Sequence, residues 1–283
     1  MKILMISYNE VGRGTFIRAY ELARKLVKLG QEISILASSK NRTKAIVQWP
    51  DVGGVQIIAS PLILGGPFHS GFDPFEVQIR NSWVKGQSFD IVHGFESRPV
   101  VIYPALQLKN RGTPLILDWC DWYGTGGSIE ERLSPIKRSI LRPIEDFYEN
   151  HFRLTADATT VICSLLKERA ISQGVNKESI TLLPNGLDID ESTTSSKSAA
   201  RSYFGIEESD FVIGYVGSLF PNDANLLREA FRVISKKLPN AHLLHLGLSN
   251  YIVNETEFTT SKITLTGEVS DNEIQLGLYA CDL

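Results

Sequence analysis

The sequence predicts an α/β protein with two doubly wound, parallel-sheet domains. The first observation is a strand–helix–strand pattern at the N-terminus, where an apolar run at 2–7 and a β-branched run at 31–37 flank a helical pattern at 15–29. Strand and helix patterns then alternate along the chain, as they do when helices connect parallel strands. A second pattern of this kind starts at Phe211, after a polar run.

Local patterns define the elements of the first domain. Within the first helix, Ile17, Leu22 and Leu26 recur at helical spacing, and Gly30 ends it. The runs that follow are rich in aliphatic and β-branched side chains and are bounded by turn residues. They predict strands at 55–60, 90–93, 114–118, 159–163 and 179–183, and helices at 100–111, 136–155 and 165–174.

The second domain is predicted to begin at residue 201. The run at 191–198 reads ESTTSSKS, which is too polar to pack in a core and indicates a linker or exposed loop. Residues 280–283 resemble the start of another buried strand, so we expect this domain to be incomplete or to need a partner at its sheet edge. We therefore predict domains at 1–200 and 201–283, the second with strands at 211–216, 242–246 and 263–266 and helices at 224–238 and 272–280.

Composition excludes several classes of protein. The chain has 283 residues, of which 43% are hydrophobic and 22% charged, and these fractions are ordinary for a globular protein. Its net charge of -3 argues against a nucleic-acid binder. Cys120, Cys163 and Cys281 form no CxxC pair, which argues against a disulfide framework or a structural zinc site. Because no apolar run is long enough for a signal peptide or a membrane span, we expect a cytoplasmic location.

A glycine-containing loop follows the first strand and precedes the first helix. Gly12 and Gly14 would let the backbone approach a phosphate, and the amides at a helix N-terminus attract anions. A simple turn is the alternative. A dinucleotide-binding loop is disfavoured, because Ile17 occupies the third glycine position and residues 37–40, at the end of the second strand, lack the expected acidic residue.

Polar side chains end two of the predicted strands. His93 ends one strand and Asp118 ends the next, at the sheet edge that faces the ligand crevice in open α/β sheets. His93 could bind a sugar or act as a base, or it could simply bond to the local backbone. Asp118 or Asp121 could accept a proton and an interleaved tryptophan could stack on a sugar, but a capping aspartate with packed tryptophans, Trp119 and Trp122, is equally expected.

Two other groups of polar residues have less specific interpretations. His242 and His245 lie three apart on a strand and so should point to opposite faces, which argues against a metal site. A basic run could contact anionic lipid, although a solvated basic face is the more ordinary interpretation. We expect its helix to be limited to about two turns by prolines at both ends. The run comprises Arg132, Lys137, Arg138 and Arg142, and the prolines are Pro135 and Pro143.

Several motifs occur in a characteristic order. Residues 28–33 read KLGQEI, 90–93 read DIVH, 117–123 read LDWCDWY, and 214–219 read GYVGSL. The most specific passages are ADATTVICS at 156–164 and ITLLPNGLD at 180–188. In this order they resemble the retaining glycosyltransferases of family 4, whose GT-B fold has two Rossmann-like domains, and the resemblance spans essentially the whole chain. Gln31 stands where that family usually has a histidine.

The chain departs from the family pattern at two places. Family members commonly carry an arginine and a lysine after the glycine of the donor loop, but residues 218–223 read SLFPND, closer to a variant with Pro-Asn. The family's two glutamates eight positions apart are also absent, since no glutamate in this sequence has another eight residues later. In the family that pair would lie just beyond Leu283, so we expect truncation rather than divergence. Arg13 and Arg18 remain candidate phosphate partners.

The resemblance implies transfer of a sugar from a nucleotide diphosphate sugar to a glycan or lipid-linked acceptor with retention, in polysaccharide biosynthesis. It needs no cofactor or metal, and the chain would contact the inner face of a membrane at most peripherally. Two alternatives stay open: a nucleotide-sugar epimerase of GT-B fold, and a non-catalytic truncated chain that binds an acceptor or a partner. The candidate catalytic residues are His93 and Asp121, and the candidate donor-binding residues are Gly12, Gly14, Arg18, Asn185, Gly217 and Ser218.

Overall fold

The computed structural model describes residues 1–39, 46–64, 70–131, 134–186, 195–219, 221–248 and 262–283. The chain divides into two compact units, Met1–Leu187 and Asp188–Leu283. The division between the units follows Leu187, whereas the predicted domain boundary follows residue 200. Arg132, Asp188 and part of the polar run at 191–198 lie outside the described residues.

The first unit is built on one eight-stranded sheet with the order β3-β4-β2-β1-β5-β6-β7-β8. The pairing of β3 with β4 is antiparallel, and every other neighbouring pair is parallel. The strands are β1 (Lys2–Glu10), β2 (Glu32–Ser38), β3 (Val47–Val52), β4 (Val55–Ser60), β5 (Ile91–Phe95), β6 (Leu115–Trp119), β7 (Ala158–Val161) and β8 (Ile180–Leu182). The helices are α1 (Thr15–Lys28), α2 (Pro74–Lys85), α3 (Pro99–Lys109), α4 (Pro135–Phe152) and α5 (Ser164–Ser172).

Helices cover both faces of this sheet because successive strand residues point to opposite sides. On one face Ile3 and Met5 pack in a cluster with Phe16 of α1. On the other face Leu4 and Ile6 pack in a cluster with residues of α3. The strand interiors are therefore largely apolar, and buried polar side chains that include Ser38, Ser60 and Asp118 lie at or next to strand ends.

The second unit contains a three-stranded parallel sheet with the order β11-β10-β9. Beyond its last helix, the amide of Asp282 donates to the Val212 carbonyl and the amide of Gly214 donates to the Leu283 carbonyl, so residues 281–283 bond along β9. The strands are β9 (Phe211–Val216), β10 (Ala241–Leu246) and β11 (Lys262–Leu265), and the helices are α6 (Lys197–Tyr203), α7 (Pro221–Lys237) and α8 (Asp271–Ala280).

The predicted fold class, α/β with two Rossmann-like parallel sheets, is confirmed. Three elements, β3, α2 and α6, were not predicted from the sequence, and one expectation for α4 is wrong. Pro143 lies inside this helix without ending it. Its missing N–H leaves the carbonyl of Ser139 without its intrahelical bond, but Ser139 is exposed, so water can satisfy that carbonyl. No helix in the described part of the chain is both long and apolar enough to cross a membrane.

Candidate functional site

The carboxyl edge of the first sheet brings together side chains from distant parts of the sequence. His93 lies in β5, Asp118 in β6 and Thr160 in β7, and Arg18 reaches them from α1. In open α/β sheets this edge borders the ligand crevice. His93, Asp118 and Arg18 were predicted as candidate site residues from the sequence, and Thr160 was not.

Arg18 and Asp118 form the centre of this cluster. Nε of Arg18 lies 2.9 Å from Oδ2 of Asp118, and Nη2 lies 3.0 Å from Oδ1, so the guanidinium contacts both carboxylate oxygens. The side chain of Asp118 is 0% exposed and that of Arg18 is 9% exposed. A bidentate, desolvated pair of this kind is both strong and geometrically restrictive.

Arg18 also connects the cluster to the loop after β8. Its Nη1 donates to Oδ1 of Asn185 at 2.8 Å, and its Nη2 donates to the Leu183 carbonyl at 2.8 Å. These bonds and those to Asp118 occupy all but one of the guanidinium N–H groups within the described residues. Arg18 therefore positions the loop that carries Asn185, and donor binding by Arg18 and by Asn185 stays a prediction.

Charge in the cluster fixes the protonation states of Asp118 and His93. Burial disfavours the Asp118 carboxylate, but Arg18, His93 and Thr160, whose hydroxyl donates at 2.7 Å, outweigh that effect and lower its pKa. Burial lowers the pKa of His93 to about 4, with Arg18 adding to the effect and Asp118 opposing it. His93 is therefore neutral near pH 7, and it can form hydrogen bonds with a substrate but is a weak base.

Asp121 is exposed, and its carboxylate is hydrogen-bonded to a pair of tyrosine hydroxyl groups rather than to Arg18. Its Oδ2 accepts a hydrogen bond from Oη of Tyr123 at 2.7 Å. The Tyr123 and Tyr8 hydroxyl oxygens lie 2.7 Å apart, and because Tyr123 uses its proton on Asp121, Tyr8 is the donor. Burial raises the pKa of both phenols. The Asp121 carboxylate is thus held by a phenol that stays protonated.

Glu96 and Arg153 were missed by the sequence analysis. Glu96 directly follows β5, its side chain is buried, and its carboxylate forms an ion pair with Arg153. Oε1 of Glu96 accepts hydrogen bonds from the amides of Cys120 and Asp121. An acidic residue just beyond a strand was the only available signal, because nothing in the spacing shows that the side chain turns inward.

Hydrogen bonds from the first residues of α1 to the glycine loop hold the start of this helix. Oδ1 of Asn9 accepts from the amide of Thr15 at 2.7 Å and from its hydroxyl at 2.8 Å. The next two amides of the helix donate to carbonyls of the loop at 3.1 Å. A Cβ on Gly14, whose φ is +51°, would lie 2.5 Å from Oδ1 of Asn9. This geometry favours the turn interpretation, and donor binding by Gly12 and Gly14 stays a prediction.

Trp119 and Trp122 both pack against arginine side chains. Trp119 is 0% exposed, and the guanidinium of Arg153 lies 4.4 Å from its ring centroid. The guanidinium of Arg169 lies 4.0 Å from the ring centroid of Trp122. The structure therefore supports the packed-tryptophan interpretation, because burial or a stacked guanidinium already covers these rings.

Gly217 and Ser218 follow β9 in the second unit. Gly217 has a φ of +128°, a conformation that favours glycine, and Ser218 is exposed. His245 is buried beneath this loop, with its Nε2 2.9 Å from the Gly217 carbonyl oxygen. Nδ1 of His242 lies 3.0 Å from Oδ2 of Asp210, so the two histidines have separate partners. The described residues contain no group of three or more His, Cys, Asp or Glu side chains that could hold a metal ion.

Two arginines of the basic run, Arg138 and Arg142, contact Glu130. Arg142 contacts the carboxylate of Glu130 at 2.6 Å, and Arg138 donates to the Glu130 carbonyl at 3.2 Å. Exposed apolar side chains lie on another face of α4, where Ile136 is 74%, Ile140 61% and Phe147 50% exposed. Arg138 and Arg142 therefore hold the preceding turn to the helix, and the exposed face of α4 is more apolar than basic.

Comparison with known proteins identifies the family. Residues 12–191 match the family described as Glycosyltransferase Family 4, and this range contains the whole polar cluster described above. The chain belongs to glycosyltransferase family 4. No curated protein matches the sequence.

Solved structures with the same fold include enzymes of sugar metabolism. Sucrose-phosphate synthase from Thermosynechococcus elongatus matches with a TM-score of 0.67 and 14% identity, covering 99% of this chain and 74% of that one. Anabaena Alr3699/HepE in complex with UDP-glucose matches with a TM-score of 0.59 and 13% identity, covering 100% and 72%. UDP-GlcNAc 2-epimerase from Methanocaldococcus jannaschii matches with a TM-score of 0.58 and 11% identity, covering 98% and 76%. These likenesses establish the GT-B fold for the chain.

Proposed function

We propose that this chain transfers a sugar from a nucleotide diphosphate sugar to a glycan or lipid-linked acceptor, with retention at the anomeric carbon. The observation that carries the proposal is the family match over residues 12–191. It coincides with the part of the chain in which ion-paired and hydrogen-bonded side chains converge at one sheet edge. Anabaena HepE, which shares the fold, is described with UDP-glucose and with UDP, and this supports a uridine nucleotide as the first donor to test.

We assign the donor to the loops that end the parallel strands. Arg18 fixes Asn185, whose amide would bind donor hydroxyl or phosphate oxygens. Within the second unit, we propose Gly217 and Ser218 of the loop after β9 as donor-binding residues in their own right. Gly12 and Gly14 are assigned to the same role. The exposed side chain of Arg13 lies between them and is the cation in this loop best able to meet a phosphate.

We assign the acceptor chemistry to Asp121 and His93. The Asp121 carboxylate is exposed and held by the Tyr123 phenol, so it can accept a hydrogen bond, and finally the proton, from an acceptor hydroxyl. Neutral His93 would orient a sugar through a hydrogen bond. The remaining catalytic effect would come from positioning the reactants and from stabilising the leaving diphosphate, and the proposal requires neither a metal nor a cofactor.

A lipid-linked acceptor would bring the chain to the inner face of a membrane. The exposed Ile136, Ile140 and Phe147 lie along one face of α4, and such a face could enter the headgroup region. We therefore propose a cytoplasmic protein with peripheral membrane contact at α4.

The proposal is tested by donor binding and by product analysis. We expect calorimetry to detect binding of a UDP or GDP sugar, and we expect incubation with candidate acceptors to yield a product whose anomeric configuration matches that of the donor. Asp121→Asn should lower kcat about 100-fold or more, because general base catalysis typically contributes 10²–10⁴-fold, while donor Kd changes little. Glu130→Gln, which changes an exposed carboxylate outside the cluster, is the matched control.

Each other result points to an alternative. Conversion of the donor sugar to its epimer without any acceptor would identify an epimerase. Acceptor binding without donor binding or turnover would identify a non-catalytic chain. Inversion at the anomeric carbon would contradict the retaining mechanism while leaving the transferase assignment in place.

A further inference from the structure

Glu96 has an unusual backbone conformation at the end of β5. Its φ is +71°, and it is the only residue other than glycine with a positive φ in the described part of the chain. This region is sterically unfavourable for a side chain with a Cβ, and non-glycine residues that adopt it at element ends often serve function. The conformation turns the Glu96 side chain away from the strand direction and beneath the segment that follows β6.

The Glu96 carboxylate and its ion-pair partner, Arg153, hold the segment after β6 by hydrogen bonds to several of its backbone groups. Oε1 of Glu96 accepts from the amide of Cys120 at 2.6 Å and from that of Asp121 at 3.0 Å. Oε2 forms an ion pair with Arg153, whose Nη1 donates to the Asp118 carbonyl at 2.9 Å. The Glu96 amide also donates to the Asp118 carbonyl, at 3.1 Å. The buried pair thus bonds to the backbone of three residues between Asp118 and Asp121.

The carboxylates of Asp118 and Asp121 depend on this segment for their directions. Asp118 must face Arg18 and Thr160, whereas Asp121 must face Tyr123, although only two residues separate them. The regular ladder of β6 ends at Trp119, so from Cys120 onward the direction of the chain has to be fixed by other bonds. Glu96 supplies two of these bonds from a position that is 1% exposed, where no water competes.

We infer that Glu96 is a positioning residue: with Arg153 it holds the backbone from Asp118 to Asp121 so that the Asp121 carboxylate is aimed at the acceptor. The catalytic part of this inference rests on the proposed function, whereas the positioning part does not. Glu96 itself touches no substrate in this arrangement. It acts through the amides of residues 120 and 121.

Cys120 provides a readout that is independent of activity. Its thiol lies within the held segment and is half-buried, with its Sγ 3.3 Å from Oδ2 of Asp118. Burial raises the pKa of this thiol, and the Glu96 and Asp118 carboxylates add to that effect. The thiol should therefore react slowly while the segment is held and faster once it is released. Cys163, also half-buried, lies outside the segment and serves as an internal reference.

The experiment measures labelling of each cysteine by an aromatic disulfide, followed by mass mapping of the labelled peptides. Glu96→Gly removes the carboxylate and tolerates the positive φ, and we expect it to raise the Cys120 to Cys163 labelling ratio at least tenfold. Glu96→Gln retains one oxygen for the two amides and should restore most of the protection. Glu76→Gln breaks a different buried pair, with Arg80, and should leave the ratio unchanged.

Unchanged Cys120 labelling in Glu96→Gly would overturn the inference, and so would an equal rise in Glu76→Gln, because the effect would then be general loosening. Hydrogen exchange of the unmodified chain covers the case in which Glu96→Gly does not fold. The amides of residues 120 and 121 should exchange as slowly as strand amides, and exchange at the rate of a free loop would refute the inference.

Activity measurements distinguish a failure of this inference from a failure of the proposed function. If the chain transfers sugar, Glu96→Gly should lower kcat by at least tenfold with a donor KM within threefold of the unmodified chain. If no transfer is found but the labelling ratio changes as expected, the proposed function fails and the positioning role stands.

Discussion

Asp118→Asn provides the most direct test of the carboxyl-edge cluster. The substitution preserves shape but removes the charge that faces Arg18, and the Arg18 guanidinium then remains largely buried without its anion. Breaking a buried ion pair by removing one partner typically costs about 3–5 kcal/mol, because an uncompensated charge stays in the interior. A domain of this size loses about 2–4 °C in Tm for each kcal/mol, so we expect a decrease of roughly 6–20 °C.

A double-mutant cycle separates this interaction from general damage to the fold. Arg18→Met leaves Asp118 buried and unpaired, so it should also be destabilising. The double variant removes both charges and should be less destabilised than the sum of the single variants, with a coupling of about 1–3 kcal/mol. Urea denaturation followed by circular dichroism measures all four proteins. Glu130→Gln is the surface control, and its exposed pair with Arg142 should contribute at most about 1 kcal/mol.

The pH dependence adds a second test with a defined sign. Because the folded-state pKa of Asp118 is lowered, its stabilising effect is present above the unfolded value, near pH 4, and is lost as pH falls through the folded value. The difference in stability between the unmodified chain and Asp118→Asn should therefore shrink only in strong acid. Destabilisation below about 1 kcal/mol at pH 7, or additivity within about 0.5 kcal/mol, would refute the buried-pair argument.

Three further predictions concern other groups. His93, with a pKa of about 4, should give a histidine NMR titration midpoint near pH 4, and any pH–rate profile should show no inflection from it between pH 6 and 8. Burial raises the pKa of Glu96 to about 7 against the opposing effect of Arg153, so its stabilising contribution is complete below about pH 4 and is lost as pH rises through 7. Glu96→Gln should flatten that part of the stability curve measured by urea titration. Replacing Ile136 and Ile140 with serine should reduce co-sedimentation with anionic phospholipid vesicles by at least fivefold without lowering Tm, and an unchanged bound fraction would contradict membrane contact at α4.

The sequence was sufficient for the parts of the fold that follow a regular apolar period. The strands at 55–60 and 211–216 have the predicted bounds, and the first helix is one residue shorter than predicted. The helix α2 was missed because its buried face carries Glu76 and Arg80, so its apolar period is interrupted at the positions that pack inward. The buried side of α6 similarly includes Arg201, which bonds to Asp282. Charged residues that are paired in the interior cannot be recognised from local sequence.

The site was partly predictable for a related reason. Apolar runs show roughly where strands lie, so Asp118 could be placed near the end of β6. The strand predicted to end at His93 instead continues to Phe95. The partners of these residues were not visible, because Arg18 reaches Asp118 across 100 positions and Arg153 reaches Glu96 across 57. Asn185 could be selected through the family motif, but its bond to Arg18 could not. Long-range pairing depends on the order of strands in the sheet, which sequence spacing does not specify.

The distribution of the buried arginine–carboxylate pairs supports a functional interpretation of this edge. Buried pairs are weak stabilisers, since apolar residues of similar volume often do as well or better. In the first unit, however, such pairs gather beside the ends of the central strands, whereas the strand interiors are aliphatic. A stability requirement alone would not favour this arrangement. A requirement to hold polar side chains in fixed directions beside a ligand would favour it. The double-mutant cycle measures how much the Arg18–Asp118 pair contributes to stability, and the thiol-labelling ratio measures how firmly Glu96 holds the backbone.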